Sequence, residues 1–80
     1  MHWRDYITTD DSVLMGKPVI KGTRLSVDFI LGLFGQGWNH EQILENYPAL
    51  TKESLNAAMT FAAETMREIS FHPLAGTPRQ

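Results

Sequence analysis

At 80 residues, with a formal charge of −2 and no cysteine, the chain has room for one small domain and none for disulfide staples or thiolate metal sites. A hydrophobic fraction of 42% and a charged fraction of 20% exclude a disordered chain, and the longest apolar run, residues 29–34 broken by Gly32, is too short to cross a membrane. The opening Met1-His2-Trp3-Arg4-Asp5 carries no apolar stretch of a secretory signal, so a cytoplasmic protein is expected.

Residues 1–25 lack helical periodicity and form a predicted N-terminal β/turn element. Tyr6-Ile7-Thr8-Thr9 and Pro18-Val19-Ile20 read as short strands, separated by Asp10-Asp11-Ser12 and Gly16-Lys17 as turns. Pro18 cannot donate to a ladder, so the second strand starts there or lies at an edge. A hairpin this short is marginal alone, so it packs on the helices or pairs with a second copy. The second option gives a homodimer through the N-terminal β element. Lys17, Lys21 and Arg24 are three cations within eight residues with no acid among them, either a solvated loop or a contact for an anion or partner.

Residues 26–70 are expected to hold three helices. Val27, Ile30, Leu31 and Phe34 fall on one helical face, Ser26 is a suitable N-cap, and Asp28 sits in the first turn. Gly35 and Gly37 end this helix, one of them as the left-handed cap residue. Phe29 and Leu33 lie off the stripe, which predicts a buried central helix. A second helix over residues 40–46 starts at Asn39 with Gln42 in a capping box and Trp38 and Ile43 as a staple, and stops before Pro48. A third starts at Thr51, stapled by Leu50 and Leu55. Its stripe Leu55, Ala58, Met59, Ala62, Met66 and Ile69 predicts a buried face, and alanines 57, 58, 62 and 63 permit close helix approach. Pro73, Gly76 and Pro78 mark residues 71–80 as a tail.

A buried helix, then a short helix, a turn of about four residues and a longer helix is the topology of a helix-turn-helix domain. Lys52, Glu53, Asn56 and Thr60 would be the exposed residues at the start of the recognition helix, Asn56 suited to adenine and Lys52 to guanine or phosphate. Acidic residues dominate here: Lys52 and Arg67 face Asp28, Glu41, Glu45, Glu53, Glu64 and Glu68 over residues 25–72. Catalytic patterns are weak. His2, His40 and His72 are scattered surface candidates without metal-ligand spacing, Met15, Met59 and Met66 read as core filler, and Gly32, Gly35 and Gly37 end a helix where a phosphate loop would begin one. No enzyme activity, metal or cofactor is expected.

The segment Gly16-Lys17-Pro18-Val19-Ile20-Lys21-Gly22-Thr23-Arg24-Leu25-Ser26-Val27 continues into Gly37-Trp38, Ile43-Leu44, Tyr47-Pro48-Ala49-Leu50-Thr51 and Ala57-Ala58. In these residues the chain resembles, over about residues 5–66, the bacterial family catalogued as domain of unknown function 433. The resemblance implies a small β element on a homeodomain-like helical core. For some members it implies an antitoxin role beside toxins with a PIN-like ribonuclease fold, with dimerisation, toxin binding and repression of the antitoxin's own promoter. Within the matched motif, Gly22 would permit a backbone conformation closed to other residues, and Arg24 would reach a carboxylate or helix-end carbonyls. Gly16, Pro18, Gly22, Thr23 and Arg24 would fix how the N-terminal element enters the first helix, and Tyr47-Pro48 would supply a turn with a packed ring. Two functions remain open: a DNA-binding antitoxin or regulator touching DNA through Lys17, Lys21, Arg24, Lys52 and Asn56, or a protein-binding module whose acidic helices meet a basic partner such as a PIN-like nuclease.

Overall fold

A computed structural model describes residues 2–69, so the expected tail lies outside the described residues. A single 3-10 turn, Trp3–Asp5, leads into strand β1 (Ile7–Thr8), which pairs antiparallel with β2 (Val19–Ile20). Ile7 stands opposite Ile20 and Thr8 opposite Val19. Helices α1 (Val27–Gly35), α2 (His40–Asn46) and α3 (Lys52–Arg67) follow.

The two strands are joined by two tight turns in succession. In the first, Asp10 Oδ1 accepts from the Ser12 N–H and hydroxyl, and the Val13 N–H closes onto the Asp10 carbonyl, so Asp10 is the turn residue its position suggested. The second turn runs through Leu14, Met15 and Gly16, all three with positive φ.

After β2 the chain reverses at Gly22, whose φ of +78° requires glycine's freedom. Thr23 locks this turn: its hydroxyl donates to the Ile20 carbonyl and accepts from the Leu25 N–H. Residues 25–27 then run back along β2, the Ile20 N–H donating to the Leu25 carbonyl and the Val27 N–H to the Pro18 carbonyl. Pro18 thus contributes only its carbonyl, the one ladder group a proline has. The consequence is that β2 is flanked on both sides, and the N-terminal element is hydrogen-bonded directly into the start of α1.

One core serves the whole described chain. Ile7 and Ile20 from the strands join Val27, Ile30, Leu33, Ile43, Leu50, Leu55, Ala57 and Ala58 from the helical part. Residue 25 is therefore not a packing boundary. Ile30, Ile43 and Leu55 are completely buried, each contributing about 1.5–3 kcal/mol of hydrophobic stabilisation.

Each helix starts where its cap predicts. The Ser26 hydroxyl accepts from the Phe29 N–H, and α1 ends in a Schellman motif, with Gly37 at φ +98° and the Trp38 N–H donating to the Leu33 carbonyl. Gly37, not Gly35, is the left-handed residue. Asn39 and Gln42 exchange both bonds of the capping box at 2.8 Å. On α3 the box is completed by Ser54, a residue outside the usual Glu or Gln at that position.

Burial departs from the periodicity on α1 and on α3. On α1 the buried residues are Val27, Ile30 and Leu33, while Leu31 and Phe34 are half-buried and Phe29 is exposed. In a helix apolar around more than half its circumference, packing and not spacing selects the inward row. On α3 the predicted stripe is buried at Leu55 and Ala58, but Met59, Met66 and Ile69 are exposed. Alanines 57 and 58 sit at the helix contact, whereas Ala62 is half-buried and Ala63 exposed. The helix also stops at Arg67, three residues before its expected end. Met15 is the sharpest correction: expected in the core, it is 95% exposed.

Candidate functional site

The link between α2 and α3 is held by aromatic packing. Tyr47 caps α2, its carbonyl accepts from the Leu50 N–H across the turn, and its ring meets Phe29 edge-on at 5.5 Å with Trp38 6.4 Å away. Tyr47-Pro48 therefore fixes the direction in which α3 leaves the turn. On the exposed start of α3, Lys52 and Asn56 lie one helical turn apart with Glu53 between them.

The remaining cations lie elsewhere. Lys17 Nζ stands 3.3 Å from Asp28 Oδ2, in a pair whose side chains are 58% and 66% exposed. The Ser26 hydroxyl first, and the Lys17 ammonium second, hold the Asp28 carboxyl below the usual aspartate range. Lys17 also borders a groove with Thr65 and Met66, thirteen and fourteen residues along α3 from Lys52, or about 20 Å at the helical rise. The structure brings Lys52 and Asn56 together and sets Lys17 apart from them. Lys21 and Arg24 are exposed in the turn between β2 and α1. Arg24 was expected to reach a carboxylate or helix-end carbonyls, but among the described residues the ion pair is Lys17–Asp28 and no side-chain hydrogen bond involves Arg24. The motif's architectural roles are carried instead by Pro18, Gly22 and Thr23. Gly16 adds a close approach, since a Cβ there would come within 3.1 Å of Asp11 Oδ1.

Also on the second half of α3, the Trp3 indole N–H donates to Glu64 Oε1 at 2.8 Å, its ring packs edge-on against Phe61 at 4.7 Å, and Arg4 lies over its face at 4.4 Å. These contacts clamp the N-terminal turn onto the second half of α3. Of the histidines, His2 is exposed and His72 lies outside the described residues. His40, expected at the surface, is half-buried with its ring 5.0 Å from Phe34. Among the described residues no three His, Cys, Asp or Glu side chains group as metal ligands, and no helix is long and apolar enough to cross a membrane.

Two surface hollows were not foreseen. An apolar groove of about 330 Å³ is lined by Pro18, Val27, Leu31, Phe61, Ala62 and Met66. A second hollow adjoins Leu14, Met15 and Phe29, and Lys17 and Asp28 border both. The groove's lining residues Val27, Leu31, Ala62 and Met66 belong to the apolar stripes of α1 and α3, and periodicity reports a face without reporting what covers it.

Three helices in this order, with the short helix and turn orienting the long one and a two-stranded sheet at the N-terminus, define a homeodomain-like helix-turn-helix core carrying a small β element. The chain belongs to the family described as "Protein of unknown function (DUF433)", which matches residues 7–62. It is 32% identical over 59 residues to the uncharacterized protein y4eO of Sinorhizobium fredii, spanning 74% of this chain but 27% of that relative. The crystal structure of a DUF433 member protein from Anabaena variabilis is similar with a TM-score of 0.75 and 29% identity, over 81% of this chain and 64% of that one.

Proposed function

We propose that this protein is a non-catalytic protein-binding module of antitoxin type, in which the acidic outer faces of α2 and α3 meet a basic partner such as a PIN-like ribonuclease. The observation that supports this reading is the distribution of exposed charge. Glu41 and Glu45 lie one turn apart on α2, Glu53 follows on the first turn of α3, and Lys52 is the cation beside them. Lys17, which borders the groove beside the second half of α3, is partnered by Asp28, and Arg67 stands in the last turn of that helix. Nucleic-acid affinity comes mainly from cations on phosphates, whereas a field of this sign attracts a basic protein.

Co-expression with the product of the adjacent gene tests it. A complex should co-purify at low ionic strength, weaken as salt rises, and be lost in the double variant Glu41→Lys, Glu45→Lys. A complex indifferent to both salt and charge reversal would overturn the reading.

The DNA-binding alternative draws on one feature, the exposed Lys52–Asn56 pair at the start of the helix that follows the turn. It requires a mobility shift with duplex from the protein's own promoter. In that assay Lys52→Ala would weaken binding to all sequences and Asn56→Ala would alter preference.

A further inference from the structure

Leu14 and Met15 both have positive φ, 50° and 58°, a region costly for residues with side chains. A folded chain retains such a conformation only where the surroundings impose it, and strain of this kind clusters at functional contacts. What this turn achieves is presentation: Met15 projects almost entirely into solvent, with Leu14 partly exposed beside it. An unbranched thioether side chain suits an irregular apolar cavity.

Such a cavity lies on the same face. The groove lined by Val27, Leu31, Phe61, Ala62 and Met66 is apolar apart from its borders. Lys17 and Asp28 border both the groove and the hollow beside Met15, so one cation and one anion form the seam between knob and groove. A surface with a knob, a matching groove and one charge of each sign between them is self-complementary about a two-fold axis.

We propose that two copies of this chain pair across that seam, the Leu14–Met15 knob of each entering the groove of the other. Lys17 of each copy then faces Asp28 of its partner. A uniformly basic or acidic partner would leave one of the two charges opposed by its like. The contact uses the loop between the strands and not the sheet edge, which at two residues offers little to pair with. It also supplies apolar burial that an 80-residue chain is short of.

Sedimentation velocity on the full chain, from micromolar to millimolar concentration, tests the pairing. The unsubstituted protein should form a dimer. Met15→Asp should weaken it at least about 100-fold without changing helical circular dichroism, since Met15 is exposed in the single copy. Lys17→Asp and Asp28→Lys should each be monomeric, and an equimolar mixture should restore a dimer containing one chain of each. A monomer at every concentration would overturn the proposal and leave the groove to another segment or a foreign partner. So would a dimer that survives Met15→Asp, or a mixture that fails to pair.

Discussion

Asp28 does two things at once at the residue scale: it complements the dipole at the start of α1 and it pairs with Lys17. Hydrogen bonding from Ser26, followed by the Lys17 contact, lowers its pKa in the folded state. A group depressed in this way contributes stability above its unfolded pKa, and the contribution disappears as pH falls through the folded value. Stability should therefore decline on acidification, and Asp28→Asn should flatten part of that decline. Urea midpoints compared at about pH 6 and about pH 3 measure it. The carboxyl is two-thirds exposed, so the effect is small and shrinks further in salt. Sequence alone placed Asp28 in a first turn but not opposite Lys17, because the two are eleven positions apart with a strand between them. Gly22 was legible for the opposite reason, since a turn between two extended segments is a local demand on φ.

At the level of elements, the caps carried the most information. Asn39 with Gln42, Ser26, and Thr51 are within three residues of the N–H groups they satisfy, so tertiary contacts have little power to displace them. Thr51→Ala removes the acceptor for the Ser54 N–H at 3.1 Å and should cost about 1 kcal/mol, read as a lower urea midpoint at unchanged m-value. Helix faces were less legible. The spacing of Met59, Met66 and Ile69 continues the stripe of Leu55 and Ala58 without a break, yet all three are exposed. The first part of α3 carries its buried side chains, while Trp3 and the N-terminal turn cover one side of the second part. The periodicity of a helix is the same whether or not a neighbour reaches it.

On the scale of the whole molecule, the shared core binds the β element to the helices. Ile7 and Ile20 pack with Ile30 and Leu55, and Trp3 is clamped on Phe61 and Glu64. Unfolding should therefore be one cooperative step. Tryptophan fluorescence gives one denaturation midpoint in a Trp38→Phe variant, where it reports Trp3, and another in a Trp3→Phe variant, where it reports Trp38. Each midpoint should coincide with that variant's helical circular dichroism. An earlier transition for Trp3 would make the N-terminal element a separate unit. The candidate interaction surfaces belong to this scale too, for the Leu14–Met15 knob and the groove beside it are drawn from residues 14 to 66.

The order and starts of the helices, the two strands, the family and the excess of acid on the helical part could all be read along the chain. Each depends on residues near one another along the chain or on composition. Only the tertiary structure decided which row of α1 faces inward, that Met15 stands in solvent while His40 is half-buried, that Lys17 lies far along α3 from Lys52, and that an apolar groove stays open. Those outcomes depend on which surfaces the folded chain places against one another, and a local pattern of side chains carries no record of what arrives to cover it.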